Sequence, residues 1–219
     1  MSIFSILLKG GWLMIPIVIC SFIGAGIIVE RWLTLRRARV NTGTLMNRVR
    51  QSLRGGEVGR ALDICDETPG PVAGMLREGV LRAGASRDLI KETVESAGKA
   101  ELYKLERGLD SLATVAGVAP LLGFLGTVTG MIRAFMDIQA LGGQVNANVL
   151  AGGIWEALMT TAAGLTVGIP ALIFYNWLVG QVRHFVFEME RSSMELLDLL
   201  GDKEVRTGAL KALEAEHGL

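Results

Sequence analysis

The sequence predicts an all-α membrane protein with three transmembrane helices, the second and third of which extend into a cytoplasmic helical stalk. Half of the 219 residues are hydrophobic and a fifth are charged, a mixture that favours a chain partly in lipid and partly in water. Three apolar segments reach the length of about 20 helical residues that crosses a bilayer. Apolar residues also repeat at helical spacing before the second segment, from Ile90, and after the third segment as far as Gly201, which predicts the stalk.

The first apolar segment, residues 12–29, is predicted to be a retained helix. A cleaved signal peptide would need a basic stretch before it, and only Lys9 is there. It would also need small residues at a cleavage site, whereas residues 30–32 are Glu, Arg and Trp, a charged and aromatic interfacial anchor. The second and third predicted transmembrane helices cover residues 112–136 and 157–179.

Basic residues determine the predicted orientation, because cytoplasmic segments of membrane proteins carry an excess of Lys and Arg. Such residues crowd the end of the first span, the long loop after it and the C-terminal tail, whereas residues 137–154 contain none. The predicted order is a periplasmic N-terminal segment 1–11, transmembrane helix 12–29, cytoplasmic helical region 30–111, transmembrane helix 112–136, periplasmic connection 137–156, transmembrane helix 157–179, and cytoplasmic C-terminal helix and tail 180–219.

The long cytoplasmic loop is predicted to be helical. The pair Gly55-Gly56 and the turn Pro69-Gly70-Pro71 divide it into short amphipathic helices near residues 40–54, 57–66 and 72–83. Ser86 then offers an N-cap for a further helix. Because no strong breaker follows before Pro120, inside the second span, we expect one rod of about 50 residues and roughly 75 Å.

Small residues line one face of the second span and one face of the third, as expected for membrane helices that pack closely. The residues predicted for this packing are Pro120, Gly123, Gly130, Gly164 and Gly168. Thr127 and Thr161 supply hydroxyl groups on the same faces. Each hydroxyl could bond to the backbone carbonyl one turn earlier, or it could line a pore or a helix-binding cavity.

Glu156 lies at or just inside the outer end of the third span. A charged carboxylate at membrane depth costs roughly 2.5–3.5 kcal/mol on insertion scales, so such a group usually faces a functional cavity. Trp155 beside it favours the other interpretation, an interfacial glutamate that reaches the headgroup water. At the outer end of the second span, Arg133 and Asp137 are one turn apart and are expected to pair with each other.

The motifs of the chain predict no enzyme, no metal site and no cofactor. No GxxxxGK[ST], HExxH, CxxC or GxSxG motif occurs. His184 and His217 lie outside the spans, and Cys20 and Cys65 are interpreted as unpaired small side chains. A formal net charge of zero gives no support to a nucleic-acid partner.

Two runs of the sequence resemble the signatures of one known family. Residues 119–130, APLLGFLGTVTG, are similar to the second-span signature of the MotA/TolQ/ExbB proton-channel family. Residues 155–165, WEALMTTAAGL, with Ile-Pro-Ala and Tyr-Asn further along, are similar to the third-span signature. The resemblance is close over about residues 112–178 and extends to the rest of the chain only in layout. Three spans favour the ExbB/TolQ branch, because the flagellar stator branch has four.

The resemblance implies a homopentamer in a bacterial inner membrane, whose second and third spans enclose a central pore while the first span faces lipid. A dimer of a single-span partner of the ExbD/TolR type would occupy the pore and supply the membrane aspartate that carries protons. A TonB/TolA-like energy transducer is a further expected partner. Carried over residue by residue, the pore threonines match Thr127 and Thr161, and the pore glutamate matches Glu156. No aspartate lies within the three predicted spans, which agrees with a proton carrier supplied by the partner.

The leading hypothesis is therefore the pore-forming subunit of a motor driven by proton-motive force, which energises an outer-membrane or envelope process. The alternative is a passive pentameric scaffold that anchors partner proteins without conducting protons. A solute transporter has less support, because the chain shows no internal repeat and no broken helices beyond Pro120 and Pro170. Uptake, envelope maintenance and export are all compatible with the sequence, as are protons and sodium ions.

Overall fold

The regular structure of the described part of the chain is α-helical throughout. The structure is a computed structural model that describes residues 11–140, 147–202 and 205. Its helices are α1 (Met14–Ala38), α2 (Thr42–Arg54), α3 (Val58–Glu67), α4 (Pro71–Leu81), α5 (Arg87–Glu106), α6 (Leu109–Ala140) and α7 (Ala147–Gly201). Three helical stretches, which include α1, α6 and α7, are long and apolar enough to cross a membrane. The predicted class, an all-α membrane protein with three spans, is confirmed.

Several predicted stretches lie outside the described residues. They are residues 1–10 of the N-terminal segment, 141–146 of the connection, and 203–204 and 206–219 of the C-terminal tail, which includes His217. The first described residue, Gly11, immediately precedes the turn that leads into α1.

The chain divides into two compact units, and α1 and α7 contribute residues to both. The span unit comprises Met1–Arg31 and Gly108–Leu178, and the bundle unit comprises Trp32–Arg107 and Val179–Leu219. The charged long loop and the residues after the third span therefore fall together in the bundle unit.

The bundle unit has its own apolar core, formed where α2 to α5 pack with the C-terminal half of α7. Its most deeply buried side chains include Leu53, Leu76, Val80, Val94 and Leu196. Asn41 Oδ1 accepts a hydrogen bond from the backbone N–H of Thr44 at 3.1 Å, and Ser86 Oγ accepts one from Leu89 at 3.4 Å. These caps satisfy amide groups that a helix start leaves unpaired. The three short helices and the Ser86 cap predicted from the sequence are confirmed.

The helix predicted to run unbroken from Ser86 into the second span is divided in two. Helix α5 ends at Glu106 and α6 begins at Leu109. Gly108 between them has φ = +83°, a left-handed conformation that glycine adopts without the cost imposed by a Cβ atom. The prediction of a single rod was wrong here, because a glycine within a helical pattern is compatible with either a continuous helix or a helix end. Helix α7 is continuous and ends at Gly201, as predicted.

Many large apolar side chains of the membrane-crossing helices are exposed in the part of the chain that the structure describes. Only 22%, 33% and 28% of the residues in the three apolar windows are buried. Large apolar side chains with at least 61% exposure include Phe22, Leu121, Phe124, Phe135 and Ile173. Apolar surface of this extent is unfavourable in water. It is typical of helices that face lipid or another membrane protein.

Cys65 is buried in the bundle core, and its environment makes a testable prediction about its reactivity. Burial, with a smaller contribution from the charge of Asp66, raises the pKa of the Cys65 thiol to about 11. About one thiol in a thousand is then ionised at pH 8, and the thiolate is the reactive form. We expect iodoacetamide to label Cys65 slowly in the folded protein and rapidly after unfolding, as measured by mass spectrometry of the peptide. Equal rates in the two states would contradict this.

Candidate functional site

The second and third spans, in helices α6 and α7, pack against each other along a seam of small residues. At its centre, a methyl group on Gly123 would lie 2.9 Å from the carbonyl oxygen of Thr160 and 3.2 Å from Gly164 Cα. A methyl group on Gly164 would lie 2.5 Å from the carbonyl oxygen of Ala119. The two backbones therefore meet with no room for a side chain, the type of contact by which membrane helices associate.

The seam continues in both directions. Gly168 lies against the ring of Pro120, and a methyl group on Gly168 would be 3.2 Å from the carbonyl oxygen of Ala116. That carbonyl lacks its usual helical donor because Pro120 has no N–H. Toward the other end, Gly130 faces Ala157, whose Cα would be 3.2 Å from a methyl group on the glycine. The structure thus brings all five small residues predicted for helix packing into one seam.

Two hydroxyl groups bridge this seam. Thr127 Oγ1 and Thr161 Oγ1 are 2.6 Å apart, and Thr161 Oγ1 donates to the carbonyl oxygen of Gly123 at 2.9 Å. Thr127 Oγ1 is 3.4 Å from the same carbonyl. Since a hydroxyl has one proton to donate, the shorter distances describe a chain in which Thr127 donates to Thr161 and Thr161 donates to Gly123.

The hydroxyl groups of Thr127 and Thr161 bond mainly across the seam, whereas those of the nearby Thr129 and Thr166 bond to the backbone of their own helices. Thr161 donates across the seam, and the bond of Thr127 to its own helix is the longest of the three distances. By contrast, Thr129 and Thr166 donate to carbonyl groups four residues earlier, at 3.0 and 2.7 Å. Thr127 and Thr161 therefore form a polar contact between helices within an apolar seam.

Glu156 forms an ion pair with Arg133 across the two helices. Arg133 Nη1 donates to Glu156 Oε1 at 3.1 Å, with the side chains 53% and 28% exposed. The prediction that Arg133 pairs with Asp137 was wrong, because Glu156 on the facing helix is closer in space although it is farther in sequence. The same carboxylate oxygen lies against Gly11, where any side chain would collide with it.

The threonine pair and the Arg133–Glu156 pair lie on opposite edges of the seam. Glu156 and Thr161 are five residues apart, which places them about 140° apart around α7. Thr127 and Arg133 are six residues apart, which places them roughly 120° apart around α6. Glu156 is on the edge nearer the start of α1, since its carboxylate contacts Gly11. The three residues predicted for the proton pathway therefore form two separate contacts.

Two members of the seam were missed in the sequence, Gly126 and Thr160. Thr160 is 1% exposed, its hydroxyl donates to the carbonyl oxygen of Ala157 at 2.9 Å, and its side chain occupies the space beside Gly126. Gly126 could have been identified, because it continues the spacing of three and four residues set by Gly123 and Gly130. No sequence pattern marked Thr160 as buried. Its burial became visible only when the structure placed its side chain against Gly126 of the facing helix.

Comparison with known proteins agrees with the two membrane motifs. The profile of the MotA/TolQ/ExbB proton channel family matches residues 68–191. The chain is 32% identical over 171 residues to a protein of Synechocystis sp. named as biopolymer transport protein ExbB-like 3, which covers 77% of this chain and 81% of that protein. It is 30% identical over 153 residues to an ExbB homolog named in Methanothermobacter thermautotrophicus, covering 70% of this chain and 54% of the relative. It is also 43% identical over 97 residues to the Tol-Pal system protein TolQ of Haemophilus influenzae, covering 43% of this chain and 42% of that protein.

Proposed function

The chain belongs to the MotA/TolQ/ExbB proton channel family, and we propose that it is the pore-forming subunit of an inner-membrane motor driven by proton-motive force. Relatives named ExbB and TolQ support the ExbB/TolQ branch and a multi-pass inner-membrane protein. In the proposed assembly, five copies surround a pore with α6 and α7. A dimer of a single-span ExbD/TolR-like partner occupies the pore, and a TonB/TolA-like transducer carries its movement to an outer-membrane or envelope process.

The threonine pair is the observation that carries this proposal. Polar groups within membrane helices are costly and commonly mark an ion pathway. Thr127 donates to Thr161 in this structure, so its hydroxyl would rotate away from Thr161 to offer that proton to a carboxyl group that moves past, or would accept a hydrogen bond from a protonated one. That carboxyl group is proposed to be the partner's, because the three predicted spans, residues 12–29, 112–136 and 157–179, contain no aspartate. Each proton that crosses 100 mV releases roughly 2.3 kcal/mol, so a few protons per step suffice for mechanical work.

The proposed orientation places the N-terminus in the periplasm and the C-terminus in the cytoplasm. The absence of Lys and Arg from residues 137–154 and their abundance in the long loop support it. The bundle unit then forms the cytoplasmic stalk, and Glu156 stands at the outer, periplasmic end of the pathway. The small residues of the seam, centred on Gly123 and Gly164, form the wall that holds the pore helices together.

A passive scaffold is the competing function. Close packing of α6 on α7 would stabilise a ring that anchors partner proteins whether or not the ring conducts protons. The two functions differ in what they require of the hydroxyl groups. A scaffold needs Thr127 and Thr161 only as packing atoms, whereas a proton pathway needs their ability to exchange hydrogen bonds.

We expect the Thr127→Ala, Thr161→Ala double variant to lower proton flux into proteoliposomes at least about tenfold, the effect of raising a barrier by about 1.4 kcal/mol. The complex would be purified with the single-span product of an adjacent gene and its stoichiometry measured by native mass spectrometry. The matched control is Thr129→Ala with Thr166→Ala, which removes two hydroxyls that bond within their own helices. Full flux in an assembled Thr127, Thr161 variant would overturn the motor assignment of these residues and favour the scaffold.

A further inference from the structure

Three separate segments of the span unit meet at the carboxylate of Glu156. Arg133 of α6 donates to Glu156 Oε1 of α7 at 3.1 Å, and Gly11, before α1, lies in contact with the same oxygen atom. Gly11 has φ = +70°, and its carbonyl oxygen accepts from the N–H of Met14 at 3.2 Å in the turn that starts α1. The contact lies on the edge of the seam opposite the threonine pair, so the hydrogen bonds of that pair do not account for it.

We propose that Arg133 is a positioning residue that holds the carboxylate of Glu156 against Gly11, and so clasps the outer end of the α6–α7 seam to the start of α1. A single charge at the edge of the membrane is costly, whereas two opposite charges in contact compensate each other. Arginine suits this task because its guanidinium stays charged and directs planar N–H groups at a carboxylate.

The clasp gives the two contacts of the candidate site different tasks. With one oxygen engaged by Arg133 and packed on Gly11, the carboxylate of Glu156 is a fixed, ion-paired group on the α1 edge. On the other edge, the hydroxyl of Thr127 can turn from Thr161 to a mobile carboxyl group. The clasp itself requires only this chain, and its consequence for proton flux rests on the proposed function.

Chemical modification of Glu156 tests the clasp without any measurement of flux. Dicyclohexylcarbodiimide must reach an oxygen atom of the carboxyl group, and the clasp places Arg133 and Gly11 against Oε1 of Glu156. In the full chain in lipid nanodiscs, Arg133→Gln is expected to speed modification of Glu156 by at least about fivefold, the factor of an exposed ion pair at the strong end of its usual range. Arg133→Lys keeps the charge and loses the planar N–H groups, so its rate should lie between those of the wild type and Arg133→Gln, and Glu156→Gln provides the blank.

A second variant displaces the carboxylate while leaving Arg133 in place. Gly11→Ala puts a methyl group in collision with Glu156 Oε1, so modification should also become faster. Gly26→Ala in α1 controls for an added methyl group where nothing lies within 4 Å, and Gly56→Ala, with equally open space, controls for alanine at the positive φ that Gly56 shares with Gly11. A merely structural contribution of Arg133 would change the unfolding temperature of the variant and leave the modification rate of the folded protein at its wild-type value.

Unchanged modification rates in both Arg133→Gln and Gly11→Ala would overturn the clasp, whatever the flux does. Faster modification in a ring that conducts no protons would support the clasp and overturn the proposed function. In a conducting ring, the flux losses of Arg133→Gln and Glu156→Gln are expected not to add, so that the double variant is no worse than the poorer single variant. Additive losses would overturn the positioning role.

Discussion

Replacing Gly164 with alanine is expected to force α6 and α7 apart and to prevent stable assembly. The new methyl group would lie 2.5 Å from the carbonyl oxygen of Ala119 and 2.9 Å from Gly123 Cα. Both atoms belong to the backbone of a regular helix, so they cannot move aside as the end of a flexible side chain can. Overpacking of a close-packed interior costs about 1–3 kcal/mol. In lipid there is little hydrophobic drive between helices to offset that cost.

Gly152→Ala is the matched control for this prediction, since it makes the same change in the same helix. Nothing lies within 4 Å of a methyl group at Gly152, and alanine is favoured over glycine in a helix by about 0.8–1.0 kcal/mol. We therefore expect the Gly164 variant alone to lose its symmetric peak in size-exclusion chromatography and to unfold at a lower temperature. Equal stability of the two variants would contradict this prediction, because it would mean that the seam has room for a methyl group at Gly164.

The seam between α6 and α7 could be predicted because its cause is visible in each helix separately. Small residues three and four positions apart share one face of a helix, and only such a face lets two backbones approach in lipid. Pro120, Gly123 and Gly130 in one span and Gly164 and Gly168 in the other satisfy that rule. The sequence of the two helices does not show how far one is shifted along the other. The partners of individual hydroxyls therefore remained open until the helices were seen together.

The register decides the two contacts that matter most for function. Thr161 donates to Gly123 across the seam, whereas the small-residue stripes alone favoured a bond to its own helix. Arg133 was assigned to Asp137 because one helical turn is the shortest distance that a sequence reveals. The ion pair with Glu156 joins two different helices, so it depends on how far α7 is shifted along α6.

The sequence also did not show that the helix is interrupted at Gly108. The apolar spacing continues through this position, and a single glycine inside such a pattern usually costs only about 1 kcal/mol. The sequence therefore favoured a continuous helix, although the structure has a positive φ there and begins α6 one residue later. The proposed roles of Thr127 and Thr161 rest on the family motif in addition to the residues, because hydroxyls in a small-residue seam are compatible with packing alone.

Truncating Leu196 to alanine is expected to destabilise the bundle unit by about 2–5 kcal/mol, the usual cost of removing a buried leucine side chain. Leu196 is fully buried, and it packs directly over Gly79, where an added methyl group would lie 2.5 Å from Leu196 Cδ2 and 2.7 Å from Val94 Cγ2. The atoms around the lost side chain include backbone of α4, which cannot swing into the space. The cavity should therefore persist, which favours the upper part of that range.

The buried thiol of Cys65 provides the measurement, because it belongs to the same core as Leu196 and becomes reactive when that core opens. In the Leu196→Ala variant, iodoacetamide labelling of Cys65 should become faster and the denaturation midpoint should fall. Met194→Ala is the control on the same helix, since Met194 is 61% exposed and its removal leaves no buried cavity. Because the span unit has separate packing contacts, carbodiimide modification of Glu156 should stay at the wild-type rate. Unchanged protection of Cys65 would mean that Leu196 does not hold the bundle core together, and a parallel change at Glu156 would mean that the two units open as one.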